Sequence, residues 1–279
     1  MRNRKRVGWH RYINGVVLST IVTALFILLP LYWLIASSLK RPLDVGSPKL
    51  FPSPISGANF SNAFVGYDFG IYFRNSLIVT IVATALVLVL GTLAGYALGR
   101  LPMRGKFTTL VILLMISVFP EVAVLAPLFL LMKQIGWLNS YQALILPYTA
   151  FNLPFAIWIL RNYMLGIPKE MEETGRIDGA SALRTVWSIV LPQALPGLFT
   201  AGIFCFTACW TEFLMALTFD DSNNFRTIPV GISNFGANFN VPYGTIFAAS
   251  VVAVVPIGIL VFVFRKFVIS GLTSGAVKG

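Results

Sequence analysis

Two carboxylates stand where a carboxylate is costly. Glu121 and Glu212 fall inside long apolar runs, and a charged side chain at mid-bilayer costs at least about 2.5 kcal/mol on insertion scales, so each is expected to face protein or water. Either is then a candidate for a solute or ion path. Asn75, Asn152 and Phe155 lie in or beside the same runs and offer amide hydrogen bonds and an apolar ring, the groups that hold a polar solute. Their plainer use is to satisfy neighbouring backbone or to face lipid. Other chemistry is thin. His10 is the only histidine, which leaves no His-based nucleophile and no paired-His metal site in the apolar runs. Cys205 and Cys209 have no His or acidic pair at ligand spacing and read as packing residues. The stretch from Gly99 to Lys106 suggests a phosphate loop, but five residues separate its glycines and Phe107 stands where Ser or Thr must follow Lys. No catalytic residue, no metal site and no ATP site of its own is expected.

The elements that position these groups are apolar. Hydrophobic residues make up 57% of the 279 and charged residues 11%, against about a quarter charged in a soluble domain. Six runs are each long enough to span a bilayer: 13–38, 71–98, 107–132, 141–165, 194–219 and 245–264. Period-2 alternation is absent, which argues against a barrel. The fold class expected is therefore all-α integral membrane with six transmembrane helices, several kinked by internal proline. On a helical wheel Glu212 shares a face with Cys205, Ala208, Cys209, Met215 and Ala216, while Trp210 lies opposite with Ile203, Phe206, Phe213 and Leu217. The small-residue face suits packing or a cavity and the bulky face suits lipid. On a regular helix Glu212 is then the lining residue and Trp210 is not.

Net charge is +11, and its placement sets orientation rather than pointing to nucleic acid. With a cytoplasmic N-terminus, fifteen of the Lys and Arg residues fall inside, from Arg2 to Lys278, and six outside: Lys40, Arg41, Lys49, Arg74, Lys133 and Arg226. Both termini are expected in the cytoplasm, with residues 1–12 and 266–279 as tails of one 279-residue transmembrane domain whose core is 13–265. Segments 39–70 and 220–244 are then external. Asn223, Asn224, Asn234 and Asn238 in the second can meet an outside partner, or serve ordinary turn chemistry.

The segment 166–193 is too polar to span and too long for a usual helix connection. Pro168 followed by Lys169, Glu170, Glu172 and Glu173 gives a helix with an acidic first turn. Asp178-Gly179 is a turn, and Ser181 can cap a second short helix with Leu183, Val186, Trp187 and Val190 at helical spacing, which Pro192 is expected to stop. Two helices around a glycine turn, projecting from a membrane bundle, suit docking; an amphipathic loop resting on the bilayer is the competing reading.

Glu173, Gly179, Ile189, Leu191 and Pro192, with their intervals, resemble the EAA loop of ABC importer permeases, and Asp178-Gly179-Ala180 resembles the Asp-Gly-Ala that accompanies it. Thr174 and Gly175 replace the usual alanines, and Gly175 weakens the helix by about 1 kcal/mol relative to Ala. Phe119-Pro120, residues 135–139, Leu153-Pro154-Phe155 and Trp210-Thr211-Glu212-Phe213 resemble the carbohydrate branch, with Thr211 where that branch often has Asn. The resemblance implies a type I ABC importer permease fold in a prokaryotic cell membrane. It implies a coupling helix that docks on a cytoplasmic ATPase, carried here by Glu172, Glu173, Asp178, Gly179, Ala180, Ile189, Leu191 and Pro192. The end of the chain resembles the tail of maltose and trehalose permeases, which implies contact of Thr273, Ser274, Gly275, Val277, Lys278 and Gly279 with the ATPases. Implied partners are a second homologous permease, two ATPase subunits that bind the ATP and Mg, and an extracytoplasmic sugar-binding protein; the implied cargo is a sugar such as trehalose or maltose. An ion-coupled secondary transporter using Glu121 or Glu212 is the alternative, although it has no evident use for the docking loop.

Overall fold

The computed structural model describes the backbone of residues 4–236 and 241–276, and the side chains of 15–175, 177–236 and 241–267. Arg2, Asn238, Val277, Lys278 and Gly279 lie outside the described residues. Among those described, no strand occurs. In chain order the helices are α1 (Arg4–Ser38), α2 (Ala58–Ser61), α3 (Phe69–Arg100), α4 (Lys106–Val118), α5 (Glu121–Gln134), α6 (Tyr141–Leu165), α7 (Glu170–Ile177), α8 (Ala182–Arg184), α9 (Leu191–Thr211), α10 (Leu214–Phe219), α11 (Ile228–Ser233) and α12 (Tyr243–Ala276). A π-helical stretch, Thr185–Val190, carries α8 directly into α9.

Among the described residues, five helices are long and apolar enough to cross a membrane, and α4 with α5 makes a sixth if that pair counts as one span. The expected single helix over 107–132 is corrected here: the pair bends by 87°. Phe119 and Pro120 are extended, at ψ 132 and 118, because the proline ring excludes helical conformation from the residue before it and brings no N–H. The expected span 194–219 is corrected too, since helix α9 ends at Thr211 and Glu212 is extended at ψ 135. Nor does Pro192 stop the second loop helix. It sits in the first turn of α9, where a missing N–H costs nothing, and the wider π turns before it absorb the change of register.

Contacts gather the chain into two compact units, Met1–Asp68 with Phe235–Ala253, and Phe69–Asn234 with Val254–Gly279. In the first, buried Asn59 closes the end of α1 by donating to the Ser38 carbonyl (3.0 Å) and the Lys40 carbonyl (2.7 Å). Lys40 lies over the Trp33 ring at 4.2 Å and donates to the Ser47 carbonyl.

The second unit is built on α3 and α6. Val79, Ala83 and Val87 of α3, Leu144, Tyr148 and Leu160 of α6, Ala201 and Cys205 of α9 and Phe219 of α10 share one buried apolar cluster. Glycine sets the spacing between α3 and α6. Gly91, Gly95 and Gly99 recur every fourth residue on the α3 face that meets α6, the small-residue pattern that lets membrane helices approach closely. A Cβ at Gly95 would stand 3.1 Å from the Arg161 backbone nitrogen and 3.2 Å from Leu160 Cβ, atoms with little room to yield. Gly95→Leu is therefore expected to destabilise the detergent-solubilised protein by about 1–3 kcal/mol, the usual cost of overpacking. The check is thermal unfolding beside Gly258→Leu, which meets nothing within 4 Å and is expected to leave Tm unchanged.

Candidate functional site

The loop between α6 and α9 follows from its sequence. Helix α7 opens on three acids, Glu170, Glu172 and Glu173, which suit the positive end of the helix dipole. Gly179 has φ 82, a conformation that glycine adopts without strain, and the turn is closed by Ala180 N–H on the Gly175 carbonyl (2.9 Å). Ser181 then accepts the Arg184 N–H through its hydroxyl (3.3 Å) and caps α8. Gly175 lies against Ile189: a Cβ there would stand 2.2 Å from Ile189 Cδ1, so a larger residue would have to push that side chain aside.

The two adjacent glutamates face different surroundings. Glu173, Asp178 and Gly179 are exposed, as is Pro192, while Ala180, Ile189 and Leu191 are half-buried. Glu172 departs from the expectation that it belongs to the docking face. It is 5% exposed, with Oε1 paired to Arg100 Nε at 2.9 Å and Oε2 accepting the Tyr96 hydroxyl at 3.0 Å. Rotation by about 100° per residue carries one acid to solvent and its neighbour to α3. Arg100 also donates to the Ile167 carbonyl. Beneath this group Tyr96, Met164, Ile167, Val186, Val190 and Ala194 form a separate apolar cluster.

At the other carboxylate, the regular helix on which the wheel reading depended is broken. Glu212 is not on a regular helix: its Oε1 accepts Met215 N–H (2.7 Å) and its Oε2 accepts Ala216 N–H (3.1 Å), so it caps α10. The Tyr148 hydroxyl donates to the same Oε2 at 2.5 Å. Asn152 joins this knot, donating to the Tyr148 carbonyl (2.8 Å) and lying 3.7 Å from Cys209 Sγ. Trp210, expected to face lipid, is 3% exposed and stacks on Phe206 with Phe73 at its edge. Glu121 is exposed in the first turn of α5, and Phe155 sits on a partly exposed aromatic surface with Trp158 and Phe204. Glu212 and Asn152 are thus brought together through Tyr148, which the sequence reading missed.

Asn75 belongs elsewhere. Fully buried, it donates to the carbonyls of Asn224 (2.8 Å) and Arg226 (3.0 Å) and accepts the Tyr141 hydroxyl (2.9 Å), so it holds the 220–234 loop rather than lining a path. Its neighbour Ser76 accepts Ile228 N–H (2.8 Å). Asn139, at φ 56, accepts Ser222 N–H (2.7 Å), and buried Asp220 accepts Ser140 N–H (3.2 Å). Asn223 and Asn224 are exposed; Asn223 accepts from Arg226, and Asn234 closes α11. Thr273, Ser274 and Gly275 fall within α12.

Comparison with known proteins places these features in context. Residues 88–274 match the family model described as the binding-protein-dependent transport system inner membrane component. The trehalose/maltose transport system permease of Thermococcus litoralis is 35% identical over 267 residues, covering 95% of this chain and 96% of the relative. The trehalose transport system permease of Mycobacterium tuberculosis is 36% identical over 275 residues (98% and 100%), and the sulfoquinovosyl glycerol permease of Agrobacterium fabrum is 36% identical over 277 (98% and 97%). A crystal structure of a bacterial ABC transporter importing the acidic polysaccharide alginate superposes with a TM-score of 0.78 at 22% identity, covering 95% of this chain and 98% of that one. At that identity it shows the fold alone.

Two outcomes follow from the geometry. Glu212→Ala strips the cap from α10 and is expected to cost about 1–2 kcal/mol, measured as a fall in Tm, with Glu212→Gln losing less because one acceptor remains. Burial lifts the Asp220 carboxyl to about 7 from 3.8, against the opposing N–H groups of Ser140 and Asn139. Between those values the unfolded chain has released a proton that the folded chain keeps, so stability falls as pH rises from about 4 to about 7 and is level above. Thermal unfolding across this range is expected to show that slope, and Asp220→Asn to remove its share of it.

Proposed function

Because the chain belongs to the inner membrane components of binding-protein-dependent transport systems, we propose that it is the permease subunit of an ATP-driven importer whose cargo is a sugar, a di- or oligosaccharide such as trehalose or maltose. Full-length similarity to permeases named for trehalose and maltose supports the sugar. The ion-coupled alternative has no such support, and Glu212 is already committed to capping α10.

In this reading the chain pairs with a second, similar permease. Two ATPase subunits bind ATP and Mg and dock on the α7–α8 loop from the cytoplasm, where both termini also lie by the distribution of Lys and Arg. Contact with the same ATPases is assigned to the tail residues Thr273, Ser274, Gly275, Val277, Lys278 and Gly279. A solute-binding protein delivers the sugar outside, against the 220–244 loop with its exposed Asn223 and Asn224. The exposed acidic face at Glu173 and Asp178, standing on a loop held to the bundle by buried contacts, is the observation that carries the docking role: an opposite charge on an ATPase gains a partner there without dismantling the loop.

Glu173→Lys tests it. In proteoliposomes holding the assembled importer, the variant is expected to insert in normal amount yet import sugar at least about tenfold more slowly, since repulsion replaces attraction at a docking contact. Uptake at the unaltered rate defeats the assignment. ATPase activity stimulated by trehalose- or maltose-loaded binding protein, and not by the unloaded protein, is the expected sign of the cargo.

A further inference from the structure

Among the described side chains of α7, few are buried. Among its residues with described side chains only Glu172 and Gly175 are buried, while Glu170, Met171, Glu173, Thr174 and Ile177 are exposed. Gly175 packs on Ile189, which lies in the second half of the same loop. Among the described side chains of α7, the buried Glu172 carboxylate reaches a membrane helix, its Oε2 accepting the Tyr96 hydroxyl and its Oε1 forming an ion pair with Arg100 Nε at 2.9 Å without a hydrogen bond between them.

These two partners stand one turn apart on the last turns of α3, and Arg100 turns its second nitrogen to the Ile167 carbonyl, where the chain leaves α6 for the loop. One guanidinium thus joins α3, the exit of α6 and α7. Side-chain exposure of the pair is only 4% and 6%. A buried ion pair is a poor source of stability, because apolar residues of the same volume serve as well or better; what it adds is a fixed geometry. The apolar cluster of Val186, Val190 and Ala194 against Tyr96 and Met164 resists separation but is non-directional. A directional hydrogen bond from Tyr96 and an ion pair with Arg100, held on the two oxygens of one carboxylate, resist sliding and rolling as well.

We infer that Arg100, Glu172 and Tyr96 form a positioning pin that makes α7 move as one body with the end of α3, so that force applied at the exposed Glu173 face is delivered to a membrane helix instead of being absorbed by bending of the loop. The inference rests on the docking role proposed above, but its geometric part is measurable without it.

The experiment places nitroxide labels at Ile177, which is 85% exposed, and at Leu90 on α3, which is 44% exposed, in a chain with Cys205 and Cys209 changed to Ala, and reads their separation by pulsed electron spin resonance. In the purified chain the distribution is expected to be narrow, and broad in Arg100→Met and Glu172→Gln. In the assembled importer the unaltered chain is expected to keep one distance with and without ATP. The variants are expected to spend about tenfold more ATP per sugar imported, a loss within the usual range of coupling energies, while Tyr96→Phe, which deletes one hydrogen bond, gives a smaller rise. A distance in the unaltered chain that changes with nucleotide overturns the pin, as does a distribution equally narrow in both variants. Should Arg100→Met fail to insert, Arg100→Lys keeps the charge but not the fork, and a narrow distribution there is equally fatal. Normal uptake in Glu173→Lys would remove the docking role and leave the width comparison standing.

Discussion

Hydrocarbon offers no hydrogen-bond partner, so every backbone group that leaves a helix inside it must find one within the protein. The two broken runs meet this demand differently. Where α4 gives way to α5, Phe119 N–H closes back on the Ile116 carbonyl and Ala123 N–H bonds the Pro120 carbonyl; the proline has no N–H to satisfy. Where α9 gives way to α10 there is neither proline nor glycine, and Glu212 takes the first N–H groups of the new helix. A carboxylate in an apolar run is costly, yet here its two oxygens hold three donors, the third being Tyr148. The break and the acid are one feature.

Close approach of α3 and α6 is the second condition, and it leads directly to the loop. Gly91, Gly95 and Gly99 keep the helices in contact along one face of α3, and the residue after the last of them is Arg100, whose side chain holds Glu172 and the Ile167 carbonyl. A wider separation of α3 from α6 would carry Arg100 away from the exit of α6 and leave a guanidinium and a carboxylate buried without their full set of partners. Small residues in the membrane thus bear on charges at its edge.

The apolar runs were legible because length and hydropathy alone define them: Tyr141–Leu165 has the bounds read from the sequence. The loop was legible for a different reason, since Asp178-Gly179 and Ser181 carry their own turn and cap chemistry. What stayed hidden was direction. Glu172 and Glu173 have the same chemistry and neighbouring positions, and only the phase of α7 on α3 separates them. Trp210 was misplaced because in a membrane protein a bulky apolar face suits lipid and protein equally; its burial depends on Phe73 of another helix. Pro192 was misread because proline fits the start of one helix as well as the end of another. Tyr148 and Asp220 gave no signal at all, their roles arising from partners 64 and 80 residues away.

One helix joins both loops. Near its start α3 presents Asn75 and Ser76 to the 220–234 segment, and near its end Tyr96 and Arg100 to α7. The 25 residue-to-residue steps from Asn75 to Arg100 span about 38 Å at 1.5 Å per step, the thickness of a bilayer with much of its headgroup layers. Proline interrupts α1 at Pro30, α6 at Pro147 and Pro154, α9 at Pro196 and α12 at Pro256, whereas α3 has none. Each internal proline removes a backbone hydrogen bond and permits a kink. Among the described single helices long enough to cross, α3 is therefore the one without internal proline, and it is also bonded near both ends to loops, the 220–234 segment at its start and α7 at its end. A helix without internal proline keeps its full set of backbone hydrogen bonds and resists bending; in this chain that stiffness and the attachment of two loops fall on the same element.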